Sequence, residues 1–125
     1  MNCKILQHGI DLLECLEQAG FRAALVGGTV RDLLLGIQPR DLDIVTEASG
    51  EDIRRLWPQA RRVGRQALSS WVLPCDDYPV EITPTLGTSL EEDLKRRDFT
   101  VNAVAMLREG TLLMQQQSRR DLALR

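Results

Sequence analysis

Two aspartates stand one residue apart in "PRDLDIVT", Asp41 and Asp43, shortly after a glycine pair and an arginine, Gly27, Gly28 and Arg31, in "LVGGTVRDLLLG". In a strand, residues i and i+2 point to one face roughly 6–7 Å apart, so Asp41 and Asp43 converge while Leu42 and Ile44 turn into the core. Paired carboxylates repel unless a cation lies between them. Magnesium suits such a pair, because it takes one or two carboxylates and fills its remaining positions with water and phosphate oxygens. The alternative is an edge strand with two solvated aspartates. The glycines point to the same class of ligand. A helix N-terminus carries backbone N–H groups without intrahelical partners at the positive end of the dipole, and glycine lets a phosphate approach them closely. A cation at that end opposes the dipole unless an anion joins it, which gives Arg31 a reason to be there. The alternative is a tight strand-to-helix turn with Arg31 paired to Asp32 or solvated.

The elements that must position these residues follow from periodicity and punctuation. Residues 4–18 have helical apolar spacing and stop at Gly20. "FRAALV" (21–26) reads as a buried strand, "TVRDLLLG" (29–36) as a helix with Thr29 as N-cap and Gly36 at C′, and "DLDIVT" (41–46) as a strand. A short helix from Glu51 to Trp57 is closed by Pro58. "SSWVLP" and "YPVEIT" form antiparallel strands across the turn at Asp76 and Asp77, and "SLEEDLKRR" opens with a capping box of Ser89 and Glu92. "AMLREGTLLM" is a hairpin turning near Gly110, and "SRRDLALR" has the pattern of a further helix. Helices interleaved with short strands predict an α+β domain with a small mixed sheet.

Taken together, "LVGGTVRDLLLG", "PRDLDIVT" and "SLEEDLKRRDFTVNAVA" resemble, in order and type, the head-domain motifs of the tRNA nucleotidyltransferase and bacterial poly(A) polymerase family, within the polymerase beta-like nucleotidyltransferase superfamily. The resemblance covers most of residues 21–106. It implies a head with a small mixed sheet flanked by helices, and transfer of AMP or CMP from ATP or CTP to an RNA 3′ end, that of tRNA above all, with two Mg2+ ions. It implies Asp41 and Asp43 as magnesium ligands, Gly27, Gly28 and Arg31 as triphosphate contacts, and Arg97 as a further nucleotide contact. Asp98 and Asn102 belong to the Arg97 motif, where they orient Arg97 or the ribose. Glu81 in "PVEIT" faces away from Val80 and Ile82, so it either joins the aspartates as a third carboxylate or pairs with an arginine. Family members have a longer segment, with an arginine, where this chain has "ITPTLGTSLEEDL". Their neck, body and tail would follow Arg125, so residues 1–125 read as one catalytic head domain. The competing reading is a silent nucleotide-binding module that works only with such partners.

The remaining features narrow the classes. A chain of 125 residues with 43% apolar and 27% charged residues has the make-up of one globular domain. Its apolar runs are too short to span a membrane, and charged residues interrupt the first twenty positions, unlike a signal peptide, so a cytoplasmic protein is expected. Cys3, Cys15 and Cys75 lack C-x-x-C spacing and read as reduced, buried thiols. A net charge of −2 exerts no general pull on nucleic acid, leaving the Arg54, Arg55, Arg61, Arg62 and Arg65 cluster as the local candidate, against a solvated helix face. Trp57 and Trp71 either stack on bases or, in their apolar surroundings, fill the core. His8 is the single histidine, and no nucleophilic triad can be assembled around it.

Overall fold

The structure is a computed structural model that describes residues 4–64, 69–85, 89–95 and 104–114. Helix α1 (Lys4–Gln18) leads through Gly20, at φ +98°, into strand β1 (Ala23–Leu25) and helix α2 (Gly27–Leu34). Strand β2 (Leu42–Thr46), helix α3 (Gly50–Leu56) and strand β3 (Arg61–Val63) follow. Strands β4 (Ser70–Leu73) and β5 (Val80–Pro84), helix α4 (Leu90–Lys95) and strands β6 (Val104–Met106) and β7 (Leu112–Met114) complete the described elements. They build one seven-stranded sheet in the order β3-β4-β5-β2-β1-β6-β7. Only the β2–β5 pairing is parallel, so the sheet is mixed, as expected for an α+β head.

The two faces of the sheet differ. On one, Leu25, Leu42, Ile44, Trp71, Leu73, Val80 and Ile82 meet Ile5, Leu13 and Leu16 of α1 and Ile53 of α3 in the main core. Gly9 is where α1 comes nearest the sheet: a Cβ there would lie 2.9 Å from the Leu25 side chain and 3.0 Å from that of Leu42. Trp71 packs in this core at 7% exposure, which settles it as a core residue; Trp57 packs against the same cluster. On the opposite face a smaller cluster joins Ala24, Val26, Val45 and Ala105 to Leu90 of α4. Asp43 and Glu81 lie on this second face, both partly buried.

Local chemistry fixes the ends of the elements. Helix α2 closes with a Schellman motif: the Ile37 N–H donates to the Asp32 carbonyl at 2.8 Å and Gly36 N–H to that of Leu33 at 3.2 Å, with Gly36 at φ +72°. Ser49 and Asp52 form a reciprocal capping box on α3. The hairpin of β4 and β5 pairs Trp71 with Ile82 and Val72 with Glu81, and that of β6 and β7 turns at Gly110, φ +91°. Cys15 and Cys75 are free thiols of intermediate exposure rather than fully buried; Cys3 lies outside the described residues. No helix among the described residues is long and apolar enough to cross a membrane.

Helix α4 is tied to the sheet by charge. Glu47 accepts from the Leu90 N–H at 3.0 Å, and Arg22 donates to Glu91 at 2.7 Å. The hydrogen bond from Arg22, reinforced by its charge and opposed by partial burial, holds the Glu91 carboxyl below the ordinary glutamate range. A carboxyl depressed in the folded state stabilises the fold above its unfolded pKa and ceases to as pH falls through the folded value. Both side chains are about half exposed, so the pair contributes less than about 1 kcal/mol. Wild type is therefore expected to melt slightly above Glu91→Gln at neutral pH, with the gap closing in acid below the reference value of 4.5. Thermal melts of both proteins across pH check this.

Candidate nucleotide and metal site

Pairing dictates where the glycine turn falls. Strand β1 runs antiparallel to β2 with Leu25 opposite Ile44, and the Val26 N–H then donates to the Asp43 carbonyl at 2.9 Å. The chain leaves the sheet at the next residue, so Gly27 turns beside Asp43. A Cβ on Gly27 would lie 3.3 Å from Asp43 Oδ2, and its φ of +65° is one that side chains rarely adopt. Both constraints disfavour a larger residue. Helix α2 thus begins at Gly27 with Val26 as N-cap and no side-chain cap.

That start corrects the expectation for Thr29. It is not the N-cap; it lies inside the first turn, fully buried, and its hydroxyl is turned toward β2. Thr29 Oγ1 donates to the Asp41 carbonyl at 3.1 Å and accepts from the Asp43 N–H at 2.9 Å. One hydroxyl therefore holds the backbone of both aspartates against the helix entrance. The sequence contains a hint of this, a hydroxyl residue directly after two glycines, but the same signal marks an ordinary N-cap.

Arg31 also moves relative to expectation. With the helix starting at Gly27 it belongs to the last turn of α2. Helical side chains lean toward the N-terminus, and that lean returns the guanidinium to the glycines: a Cβ on Gly28 would lie 3.3 Å from Arg31 Nη2. Nε and Nη2 both donate to Asp32 Oδ1 at 3.3 Å, so the pairing with Asp32 is formed and holds the charge over Gly28. Arg31 remains 45% exposed there, accessible to an anion approaching the helix entrance.

The carboxylates are brought together by long-range register. Parallel pairing sets Asp43 opposite Glu81, with both side chains on the second face and only partly buried. Asp41 lies just before β2, also partly buried. Among the described residues no three Asp, Glu, His or Cys side chains are gathered closely enough to form a metal cage. Glu81 is thus a neighbour of Asp43 without completing a three-carboxylate cluster. Cavities of about 480 Å3 beside Lys4, Arg40 and Tyr78 and about 330 Å3 beside His8, Trp57 and Leu73 are lined by described residues other than Asp43 and Glu81. Arg97, Asp98 and Asn102 lie outside the described residues.

The profile of the poly A polymerase head domain matches residues 23–85 and 75–124. The chain belongs to that family. It is 36% identical to the CC-adding tRNA nucleotidyltransferase of Halalkalibacterium halodurans, over 94% of this chain and 31% of the relative. It is 38% identical to the CCA-adding enzyme of Geobacillus stearothermophilus, over 86% of this chain and 30% of the relative. The fold matches the crystal structure of the Bacillus stearothermophilus CCA-adding enzyme in complex with CTP at a TM-score of 0.84, with 38% identity, over 98% of this chain and 32% of that one. It matches the Thermotoga maritima CCA-adding enzyme complexed with tRNA-CCA at 0.76, with 31% identity and the same coverage. The chain spans about a third of the length of these proteins.

The Thr29 bridge generates a direct test. Thr29→Val keeps the shape but leaves the Asp43 N–H and the Asp41 carbonyl without their partner, at a cost of about 1–3 kcal/mol. Thr29→Ser keeps the hydroxyl and loses one methyl, about 0.8 kcal/mol. Urea unfolding of the three proteins should rank wild type above Ser above Val at unchanged m-value.

Proposed function

We propose that this chain is a nucleotidyltransferase head that moves AMP or CMP from ATP or CTP to an RNA 3′ end, that of tRNA above all. The observation that carries the proposal is the junction of Gly27 with Asp43, which sets a phosphate-binding helix entrance against a carboxylate. The tRNA-processing relatives support the choice of substrate. An RNA acceptor accords with the cytoplasmic expectation.

Asp41 and Asp43 offer only oxygen donors and do not form a cage, a donor set that fits Mg2+ completed by water and phosphate. We assign these two aspartates as its ligands, with Glu81, beside Asp43, available to a second ion. When bound, two such ions neutralise phosphate charge and acidify the attacking hydroxyl. The backbone N–H groups at Gly27 and Gly28 receive the triphosphate, and Arg31 adds a guanidinium at the same point. Thr29 acts on the reaction indirectly, by fixing the aspartate backbone against those amides. With the acceptor in place, the 3′ oxygen bonds to the α-phosphorus, the bond to the β-phosphate oxygen breaks, pyrophosphate departs and the hydroxyl proton passes to solvent. No histidine or cysteine is needed.

None of the described site residues is placed to read a base edge, so magnesium-dependent binding of ATP, CTP, GTP and UTP should be similar by calorimetric titration. A strong preference for one base would contradict this assignment. Arg31→Ala should weaken triphosphate binding roughly 10- to 100-fold, the equivalent of about 1.5–3 kcal/mol for charged hydrogen bonds. Asp43→Asn should remove the magnesium dependence while the metal-free protein stays folded. A metal-free melt several degrees lower would make Asp43 structural.

The partial exposure of Asp43 and Glu81 favours a second reading of the same residues, in which the chain binds nucleotide but transfers it slowly. Labelled ATP and CTP incorporation onto tRNA lacking its 3′ terminus separates the two: slow, unordered addition supports the second, and efficient ordered addition the first.

A further inference from the structure

The register of the sheet continues from the carboxylates to a cation. Asp43 of β2 pairs with Glu81 of β5, Glu81 with Val72 of β4, and Val72 with Arg61 of β3. Residues paired directly across strands share a face, so these four side chains form one row on the second face. Three strand spacings separate its ends, roughly 14 Å at about 4.8 Å each. Val72, Glu81 and Asp43 are partly buried, and Arg61 is exposed at the sheet edge.

The arginine cluster divides according to face. The sequence allowed a solvated helix for all of it, but only Arg54 and Arg55 are on α3, while Arg61 and Arg62 form the edge strand β3. Arg62 pairs with Trp71 and so belongs to the main-core face; Arg54 lies over the Trp71 ring at 5.9 Å, on that face too. Arg55 is engaged by Asp52 at 3.2 Å. Arg65 lies outside the described residues. Among the described arginines of the cluster, Arg61 alone stands on the carboxylate face, and no carboxylate among the described residues pairs with it.

Phosphoryl transfer adds a direction. The attacking and leaving oxygens lie roughly in line on opposite sides of the phosphorus. If the triphosphate leaves toward Gly27, Gly28 and Arg31 on the β1 side of Asp43, the acceptor hydroxyl enters from the Glu81 side. We propose that the acceptor RNA crosses the sheet from β3 over Val72 and Glu81, and that Arg61 grips a backbone phosphate a short way back from the 3′ end. The inference rests on the nucleotide site proposed above and adds the path of the RNA and a residue that holds it. Arg61 is a binding residue: it contacts backbone and reads no base.

The test is anisotropy of a short fluorescein-labelled single-stranded RNA with the 125-residue chain in EDTA across a salt series. Arg61→Ala should weaken binding and flatten the slope of log K against log salt by about 0.7, the release expected for one phosphate contact on a single strand. Arg61→Lys should retain the slope, and Arg62→Ala, on the other face, should leave it unchanged. RNA carrying 4-thiouridine near its 3′ end should crosslink to the β3–β4 hairpin. An unmoved slope in Arg61→Ala, an equal loss in Arg62→Ala, or crosslinking confined to α2 would overturn the assignment. Magnesium-dependent ATP binding by the wild-type chain is measured alongside. Its presence with an unmoved Arg61 slope removes this inference alone, whereas its absence removes the nucleotide site on which it rests.

Discussion

A single buried hydroxyl couples the two halves of the candidate site. Thr29 donates to the Asp41 carbonyl and accepts from the Asp43 N–H, so the first turn of α2 and the start of β2 cannot shift independently. Besides that bridge, the helix entrance and the carboxylates are joined by the β1–β2 ladder, with the bond from the Val26 N–H to the Asp43 carbonyl at its end, and by the loop of residues 35–41. The bridge also favours glycine at position 27: with the aspartate backbone drawn against the helix, a Cβ would lie 3.3 Å from Asp43 Oδ2, tighter than ordinary contact, on a backbone at φ +65°. A phosphate bound at the amides is then held at a fixed distance from whatever the carboxylates hold, which is the condition for positioning reacting groups.

The division of the sheet into two faces makes this arrangement affordable. Setting Asp43 opposite Glu81 brings two carboxylates together on one face, and their mutual repulsion opposes folding. The opposite face offsets that cost, with Leu42, Ile44, Val80 and Ile82, the direct chain neighbours of the two carboxylates, at no more than 1% exposure in the main core. Leu42, Ile44, Val80 and Ile82 thus alternate with carboxylates on the other face of the same strands. Leu90 of helix α4 packs on the second face in one cluster with Val45, and Arg22 and Glu47 anchor the helix there.

What was legible in the sequence was local. Helix α1, the Schellman glycine at 36, the β4–β5 pairing and the hairpin at Gly110 each follow from a few neighbouring residues, and all are present. The outward alternation of Asp43 and Glu81 was legible too, because a strand's period of two is written in Leu42, Ile44, Val80 and Ile82. Their adjacency was not: it depends on parallel pairing between strands far apart in the chain. The N-cap of α2 was misplaced by three residues, Thr29 for Val26, because Thr29 carries an N-cap signal that tertiary hydrogen bonding redirects to β2. Strand β3 escaped notice because all three of its residues are exposed, with no apolar alternation, and its conformation comes from edge pairing with β4.

The α2 entrance and the β2 aspartates are proposed to form one site for a metal–triphosphate complex. A crystal of this chain soaked with Mn2+ and a non-hydrolysable CTP analogue, read by anomalous scattering, tests that directly. Manganese is expected at Asp41 and Asp43, with the triphosphate on the amides of Gly27 and Gly28 beneath Arg31. Nucleotide seated instead in the cavity beside Lys4, Arg40 and Tyr78, with no manganese at Asp43, would contradict it.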